Sequence, residues 1–212
     1  MKPVAALAAL ACAITVLALQ GCELALLGGG AAAISAIEDR RTSGTLIDDE
    51  GIEIRVRRGV RENFGENTHV NVTSFNRSVL LTGEVPNEAT RAEVEKIVLA
   101  SANVRNVTNE LQIAGVSSLA TRANDSLITS KVKARLLDSN KVNPVHIKVV
   151  TESGVVYLLG LVSESEAADA VEVARTTGGV IKVVKIFELC KTGDLVCAPR
   201  AAPPAEQPKP GA

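Results

Sequence analysis

Residues 70–97 read VNVTSFNRSVLLTGEVPNEATRAEVEKI, residues 147–174 read IKVVTESGVVYLLGLVSESEAADAVEVA, and the two segments align without a gap. Identical residues at matched positions include Val72 and Val149, Val79 and Val156, Leu81 and Leu158, Gly83 and Gly160, and Val85 and Val162. The chain therefore contains two copies of one unit of about 70 residues, which is too long a period in too few copies for a solenoid.

Each copy begins with the pattern of an amphipathic helix, in which apolar residues recur every four positions. These residues are Ile52, Val56 and Val60 in the first copy and Ile128, Val132 and Leu136 in the second. Two runs of alternating apolar residues follow and predict a β-hairpin. Its turn is Asn76-Arg77-Ser78 in the first copy and Glu152-Ser153-Gly154 in the second.

A second helix and a closing strand complete each unit. We expect the helix at about residues 88–102 and 165–177, with Asn87 and Ser163 as the N-cap residues. Alternating apolar residues then predict a strand at residues 107–113 and again at residues 183–189. The order α-β-β-α-β predicts an α+β fold in which helices cover one face of a small sheet.

Gly83 and Gly160 interrupt the second strand of each hairpin at matched positions. Glycine weakens a strand, so we interpret both residues as structural glycines. They indicate either the close approach of a helix or a neighbouring domain, or a β-bulge without such a partner.

The repeated unit resembles the BON domain. The resemblance rests on the element order, on the Leu-x-Gly-x-Val pattern at residues 81–85 and 158–162, and on the Val-x-x-Val entry to the closing strand. It implies two tandem BON domains, at residues 47–115 and 124–191. Two such domains behind the N-terminal segment that ends in Leu19-Gln20-Gly21-Cys22 resemble the dual-BON-domain outer-membrane lipoproteins, which are associated with lipid binding.

The N-terminus has the form of a secretory signal. Lys2 precedes an apolar run at residues 4–19, which is shorter than the stretch of about 20 residues that spans a bilayer. The run ends in Leu19-Gln20-Gly21-Cys22, which resembles the bacterial lipoprotein box. The resemblance implies a signal peptide at residues 1–21, acylation of Cys22 and, with Glu23 next to it, anchoring in the outer membrane facing the periplasm. An ordinary secretion signal with a chance cysteine is the alternative.

The remaining segments differ in composition from the repeats. Residues 22–46 are rich in Gly and Ala and then charged, which predicts a flexible tether, and the Pro- and Ala-rich residues 198–212 predict a disordered tail. Cys190 and Cys197 could close a disulfide loop in an oxidising compartment, with two free thiols as the alternative. The net charge of −1 argues against a nucleic-acid partner, because no basic excess exists to neutralise phosphates.

The sequence contains no residue pattern typical of an enzyme. No serine lies in a Gly-x-Ser-x-Gly elbow, and no glycine-rich phosphate loop precedes a helix. His69 and His146 occupy matched positions, but no cysteine or acidic cluster accompanies them at ligand spacing. We therefore predict no catalytic residues, no cofactor and no metal site.

The first helix of the second copy carries the candidate binding surface. With Ile128, Val132 and Leu136 on its buried face, a leucine and several cations point away from the sheet. An apolar group beside cations is typical of a helix that docks on anionic phospholipid. The candidate phospholipid-binding residues are Leu127, Lys131, Lys133, Ala134, Arg135 and Leu137.

The family resemblance implies lipid binding by the same helix, although the lipid-binding member of the family has Trp at the position of Leu127. The alternative is that Leu127 packs on the other domain or on the linker. We expect a non-enzymatic outer-membrane lipoprotein that binds anionic phospholipids and supports envelope integrity. The alternative function is a periplasmic scaffold for outer-membrane assembly, cell-wall or division-site proteins.

Overall fold

The computed structural model describes residues 39–65 and 68–190, and within them both copies fold in the order α-β-β-α-β. Domain 1 consists of α1 (Ser43–Phe64), β1 (His69–Phe75), β2 (Ser78–Val85), α2 (Glu88–Leu99), β3 (Asn106–Asn109) and β4 (Gln112–Ile113). Domain 2 consists of α3 (Leu119–Ser139), a short 3-10 helix (Pro144–His146), β5 (Ile147–Glu152), β6 (Val155–Val162), α4 (Glu164–Arg175) and β7 (Lys182–Leu189). The predicted α+β class and the two tandem units are confirmed.

Each domain has one sheet with the second strand at its centre. In domain 1, β2 pairs antiparallel with β1 and parallel with β3 and β4. In domain 2, β6 pairs antiparallel with β5 and parallel with β7. The parallel pairs require a crossover connection, which α2 and α4 supply. The N-cap residues of both helices were predicted correctly: Asn87 accepts a hydrogen bond from the Thr90 backbone N–H, and Ser163 forms a capping box with Glu166.

The helices cover one face of each sheet. The predicted helix triads are fully buried in the two cores, where they pack on alternate residues of the strands. The core of domain 1 contains Ile52, Val56, Val60, Val72, Val79, Leu81, Val85, Val94, Val98 and Leu111. The core of domain 2 contains Ile128, Val132, Leu136, Val142, Ile147, Val149, Val156, Leu158, Val162, Ala170 and Ala174.

The opposite faces of the two sheets pack against each other. A third apolar cluster joins Phe75 and Leu80 of domain 1 to Tyr157 and Leu159 of domain 2, and all four side chains are buried. Because neighbouring strand residues point to opposite faces, the residues between the core positions form this interface. The protein is thus built in four layers, helix–sheet–sheet–helix, and the two domains share a common apolar seam.

The first helices start before the domain boundaries that the sequence analysis predicted. The tether was expected to reach residue 46, but α1 begins at Ser43 because Thr42 caps it by accepting a hydrogen bond from the Thr45 backbone N–H at 3.2 Å. Domain 2 was expected from residue 124, but Ser118 caps α3, which begins at Leu119. The predicted domain boundaries followed the apolar pattern of these helices. The N-cap residues Thr42 and Ser118 lie more than one turn before the first apolar core residues, Ile52 and Ile128.

The closing strand of domain 1 is also shorter than predicted. Instead of one strand over residues 107–113, β3 and β4 are separated at Glu110 and Leu111. Leu111 lies opposite Gly83 in the register of the flanking pairs, and Gly83 has a φ of +110°. The positive φ in β2 therefore coincides with the break in the closing strand, and β7 of domain 2 continues without a break.

Both glycines accommodate a carbonyl oxygen of the adjacent chain segment in their own domain. A Cβ on Gly83 would lie 2.0 Å from the carbonyl oxygen of His69, and one on Gly160 would lie 2.5 Å from that of His146. The close approach inferred from the sequence is present, but it comes from the backbone that pairs with the strand rather than from a helix or the other domain. No side chain larger than hydrogen fits there without a shift.

Several predicted features lie outside the described residues: the signal peptide at residues 1–21, the lipidation site Cys22, Cys197 and the tail at residues 198–212. Cys190 is disulfide-bonded, so the alternative with two free thiols does not hold for it. Among the described helices, none combines the length and the apolar character that crossing a bilayer requires.

Candidate functional site

The candidate surface lies on the outer side of α3, and its two leucines face solvent. Leu127 is 60% exposed and Leu137 is 62% exposed, whereas Ile128 and Leu136 next to them are buried in the core of domain 2. The fold therefore leaves Leu127 in solvent rather than packed on domain 1 or on the linker. Large apolar side chains in solvent on one helix indicate a surface that contacts something else.

Two lysines that form no ion pair with a described carboxylate accompany these leucines. Lys131 and Lys133 are exposed, as is Ala134, and no acidic side chain in the described part of the chain forms an ion pair with either lysine. Their charge is therefore available to an anionic surface. We refer to Leu127, Lys131, Lys133, Ala134 and Leu137 together as the α3 surface.

Arg135, the sixth candidate, points to a different neighbour. Its guanidinium donates hydrogen bonds to the carbonyl oxygen of Val173 at 3.1 Å and to the hydroxyls of Thr176 at 3.1 Å and Thr177 at 2.8 Å. These groups end α4, where a cation also meets the negative end of the helix dipole. Arg135 thus fastens α3 to α4, and we remove it from the lipid-binding set.

An open groove of about 550 Å³ runs beside the α3 surface and includes residues of both domains. Lys133, Ala134 and Leu137 form one wall, and Phe75 with Arg41 of domain 1 forms another. Arg41 stacks 4.1 Å from the Phe75 ring and is paired with Asp49 at 2.9 Å. The lining of the groove is therefore mostly apolar, with Lys133 as a cation that no described carboxylate neutralises.

The equivalent surface on α1 is less suited to an anionic partner. Ile54 is 48% exposed, but Arg57 beside it is paired with Glu53 at 2.8 Å. Glu62 lies with Arg58 and Arg61 in the same shallow groove. Glu53 and Glu62 thus lie among the arginines of this surface, so α1 lacks the uniformly cationic character of the α3 surface.

Two buried aspartates that the sequence analysis missed hold the hairpins to the first helices. Asp49 accepts hydrogen bonds from the backbone N–H groups of Asn76 at 2.9 Å and Arg77 at 2.7 Å. Asp125 accepts them from Ser153 at 2.9 Å and Gly154 at 2.8 Å. The signal was present, because both aspartates lie three residues before the first apolar residue of the repeated helix pattern, at Ile52 and Ile128.

A second polar group lies between the domains and consists of His69, Glu84 and Glu152, which we call the interdomain cluster. The Nδ1 atom of His69 is 3.0 Å from Oε2 of Glu84 and 3.9 Å from Oε1 of Glu152. The sequence analysis found no acidic residues at ligand spacing from His69, because both carboxylates arrive from other strands and one comes from the other domain. His146, the matched histidine, instead lies 3.8 Å from Glu166.

The surroundings of this cluster affect two titrating groups. Burial raises the pKa of Glu152, against the hydrogen bond from Asn71 and the charge of His69, which lower it. Burial, with the nearby carboxylates of Glu110 and Glu152, raises the pKa of Tyr157 to about 12. Tyr157 is the single tyrosine of a chain without tryptophan, so its phenol reports directly on the interface.

Comparisons with known proteins place these features in a family. The BON domain family matches residues 48–115 and again residues 124–190. The chain is 38% identical over 172 residues to the outer membrane lipoprotein DolP of Haemophilus influenzae, covering 80% of this chain and 89% of the relative. It is 33% identical to a 21 kDa hemolysin of Actinobacillus pleuropneumoniae, over 70% of this chain and 78% of the relative. It is 31% identical to the osmotically-inducible protein Y of Escherichia coli, over 66% of this chain and 72% of the relative.

Proposed function

This chain belongs to the BON-domain family, and on that premise we propose that it is a non-enzymatic lipoprotein of the outer membrane that binds anionic phospholipids. Acyl chains on Cys22 hold it to the membrane, and the α3 surface of domain 2 makes a second contact with lipid headgroups. Through this contact the protein supports the integrity of the envelope. The name of the Haemophilus influenzae relative supports the compartment, and the geometry of α3 supports the ligand.

The observation that carries the proposal is the exposure of Leu127 beside two lysines without described partners. Transfer of the leucine side chain from water into the membrane is favourable, and each lysine near an anionic membrane strengthens binding by about 1 kcal/mol. The rigid backing of α3 by its buried face keeps these side chains on one surface. Arg135, which fastens α3 to α4, contributes to this backing rather than to the contact itself.

The two attachments differ in strength and reversibility. Each buried CH₂ of an acyl chain contributes about 0.8 kcal/mol, so more than one chain gives stable anchoring. The α3 contact is weaker and depends on the charge of the lipids. Because the anchor raises the local concentration of α3 near the bilayer, a weak contact suffices to enrich the protein where anionic lipids are abundant.

A flotation experiment tests the lipid contact without the anchor. The chain from residue 23 onward is mixed with vesicles of phosphatidylethanolamine and phosphatidylglycerol, or with neutral vesicles of phosphatidylcholine. We expect flotation with the anionic vesicles only and a loss of binding at high salt. Lys131→Glu changes the charge of the surface by two, so we expect about a 30-fold lower partition coefficient, since each charge near the surface is worth about 1 kcal/mol.

Leu127→Asp removes the inserting side chain, and the double variant with Lys131→Glu should no longer float. The matched control is Ile54→Asp with Arg58→Glu on α1, which makes the same changes of charge at a partly exposed apolar residue and its neighbouring cation and should float like the wild type. Binding that is unaffected by the α3 changes, or that is absent in the unaltered chain, would contradict the proposal. An absence of binding would favour the scaffold function. Mass spectrometry of the protein from envelopes tests the anchor separately, through diacyl and N-acyl groups on Cys22.

A further inference from the structure

We propose that His69, Glu84 and Glu152 form a zinc site that locks the two domains together. This site is independent of the α3 surface and of lipid binding. His69 and Glu84 belong to adjacent strands of domain 1, and Glu152 ends β5 of domain 2. A single ion bound to all three side chains would therefore bridge the interface.

The positions of the ligand atoms suit a small divalent ion. One nitrogen and two carboxylate oxygens lie within 4.8 Å of one another, the shortest separation being 3.0 Å between His69 Nδ1 and Glu84 Oε2. Around a tetrahedral zinc ion with bonds of about 2.0 Å, ligand atoms are about 3.3 Å apart. The observed separations of 3.0 and 3.9 Å from His69 Nδ1 lie on either side of that value.

The charge of the cluster also calls for a cation. Glu84 and Glu152 are each 5% exposed, and His69 is the only basic side chain in the described part of the chain that forms an ion pair with either of them. Two carboxylates buried against one imidazole leave negative charge in a poorly solvated place, which is costly unless a proton or a metal ion compensates it. Asp125 adds a further negative charge near Glu152.

Neighbouring groups hold two of the ligands in place. The side-chain amide of Asn71 donates to Oε2 of Glu152 at 2.8 Å, and the backbone N–H of Ser117 donates to Oε2 of Glu84 at 3.1 Å. Metal ligands in proteins are oriented by hydrogen bonds of this kind. On the same face of β2, two residues before Glu84, the hydroxyl of Thr82 is buried, and none of the described residues forms a hydrogen bond with it.

The composition of the ligand set favours zinc over magnesium, calcium and copper(I). Magnesium and calcium prefer oxygen ligands alone, and copper(I) prefers sulfur, whereas zinc accepts one imidazole with two carboxylates. His69, Asn71 and Glu152 line an open groove of about 470 Å³, which gives an ion a path from solvent. The second histidine of the chain provides a contrast, since the described residues form no such cluster around His146.

The test uses zinc itself and the chain from residue 23 onward, with its cysteines oxidised. Because the sequence has two histidines, their imidazole NMR signals are readily assigned. We expect one equivalent of zinc to shift the signals of His69 and to leave those of His146 unchanged. Magnesium at the same concentration should shift neither.

Calorimetric titrations of variants identify the ligands. We expect Glu152→Gln and Glu84→Gln each to weaken zinc binding at least 100-fold, whereas His146→Asn and Glu188→Gln, a carboxylate elsewhere in the interface, should bind like the wild type. Zinc should raise the melting temperature of the wild type but not of Glu152→Gln. The proposal would be overturned if Glu152→Gln bound zinc as tightly as the wild type, or if the NMR signals of His69 shifted with pH but not with zinc. The near-ultraviolet circular dichroism of Tyr157, which is buried between the two sheets, verifies in each variant that the domains remain packed.

Discussion

Gly83 and Gly160 occupy matched positions in the two domains but differ in backbone conformation. Gly83 has a φ of +110°, a conformation that side chains with a Cβ rarely adopt, and the closing strand breaks opposite it. Gly160 has no positive φ, and β7 runs past it without interruption. The duplication has thus conserved the close backbone approach in both copies, while the strained conformation belongs to domain 1 alone.

The largest expected effect tests this difference directly. Gly83→Ala introduces both a strained φ and an overlap with the carbonyl of His69, so we expect it to lower the free energy of unfolding by about 4 kcal/mol. Gly160→Ala introduces the overlap alone, and we expect about 2 kcal/mol. Urea unfolding followed by circular dichroism measures both values. Gly178→Ala is the control, since a Cβ there meets no atom within 4 Å; equal losses at Gly83 and Gly160 would contradict the comparison.

Replacing the aspartate that binds the hairpin turn should also cost more stability in domain 1 than in domain 2. Asp49 accepts hydrogen bonds from two backbone N–H groups and from the Ser74 hydroxyl at 2.7 Å, and it also pairs with Arg41. Asp125 accepts hydrogen bonds from two backbone N–H groups. Each buried donor left without a partner costs about 1–3 kcal/mol. We expect Asp49→Ala to cost about 3 kcal/mol and Asp125→Ala about 2 kcal/mol in chemical denaturation. The exposed Asp138→Ala should change stability little, and a larger loss at Asp125 would reverse our ranking.

A third difference is an ion pair between the segment before α1 and domain 2. Arg40 contacts Glu166 at 2.8 Å and the carbonyl oxygen of Leu161 at 2.8 Å. Burial raises the pKa of Glu166, but the hydrogen bonds from Arg40 and Ser163 and the charge of Arg40 outweigh it and lower the pKa to about 2. The matched position in domain 1 is Ala89, so this interaction has no counterpart there.

Acid titration tests this pair. Because the folded pKa of Glu166 lies below its unfolded value, the unfolded state binds the proton first, and stability is lost as the pH falls from about 4.5 toward about 2. We expect the contribution of the pair to be about 2 kcal/mol at neutral pH and to vanish over that range. In Arg40→Gln, the free energy of unfolding at neutral pH should be lower and its decline in acid shallower. Parallel curves for the two proteins would show that Arg40 does not set the pKa.

The sequence was sufficient for the elements of each domain because the patterns are local. Period-four triads such as Ile128, Val132 and Leu136 predict a helix with one buried face, and that face is where the structure buries them. The hairpin turns were also predictable: Asn76 and Arg77, and likewise Ser153 and Gly154, adopt the positive φ values of a tight two-residue turn. Boundaries failed where the first turns of α1 and α3 lack an apolar pattern.

The packing of the two sheets could not be derived from such patterns. The strands do contain a signal, since Leu80 and Leu159 make them apolar on both faces, which is typical of strands buried on both sides. The pattern does not say what covers the second face. His69, Glu84 and Glu152 are likewise far apart in the sequence, and they meet only because the two sheets stack. The helical projection placed Arg135 on one side of α3, but it could not show that α4 ends beside that side.

The smallest expected effect on stability separates folding from binding on the two first helices. Leu127 and Ile54 are both largely in solvent, so we expect Leu127→Ser and Ile54→Ser each to change the free energy of unfolding by less than about 0.5 kcal/mol. Their effects on binding to anionic vesicles should differ, because the cations near Leu127 lack described carboxylate partners, whereas Glu62 lies among the arginines near Ile54 and Arg57 is paired with Glu53. Leu127→Ser should therefore weaken flotation while Ile54→Ser leaves it unchanged. Equal weakening by both would mean that exposed apolar area, rather than the unpaired charge around it, decides which domain meets the membrane.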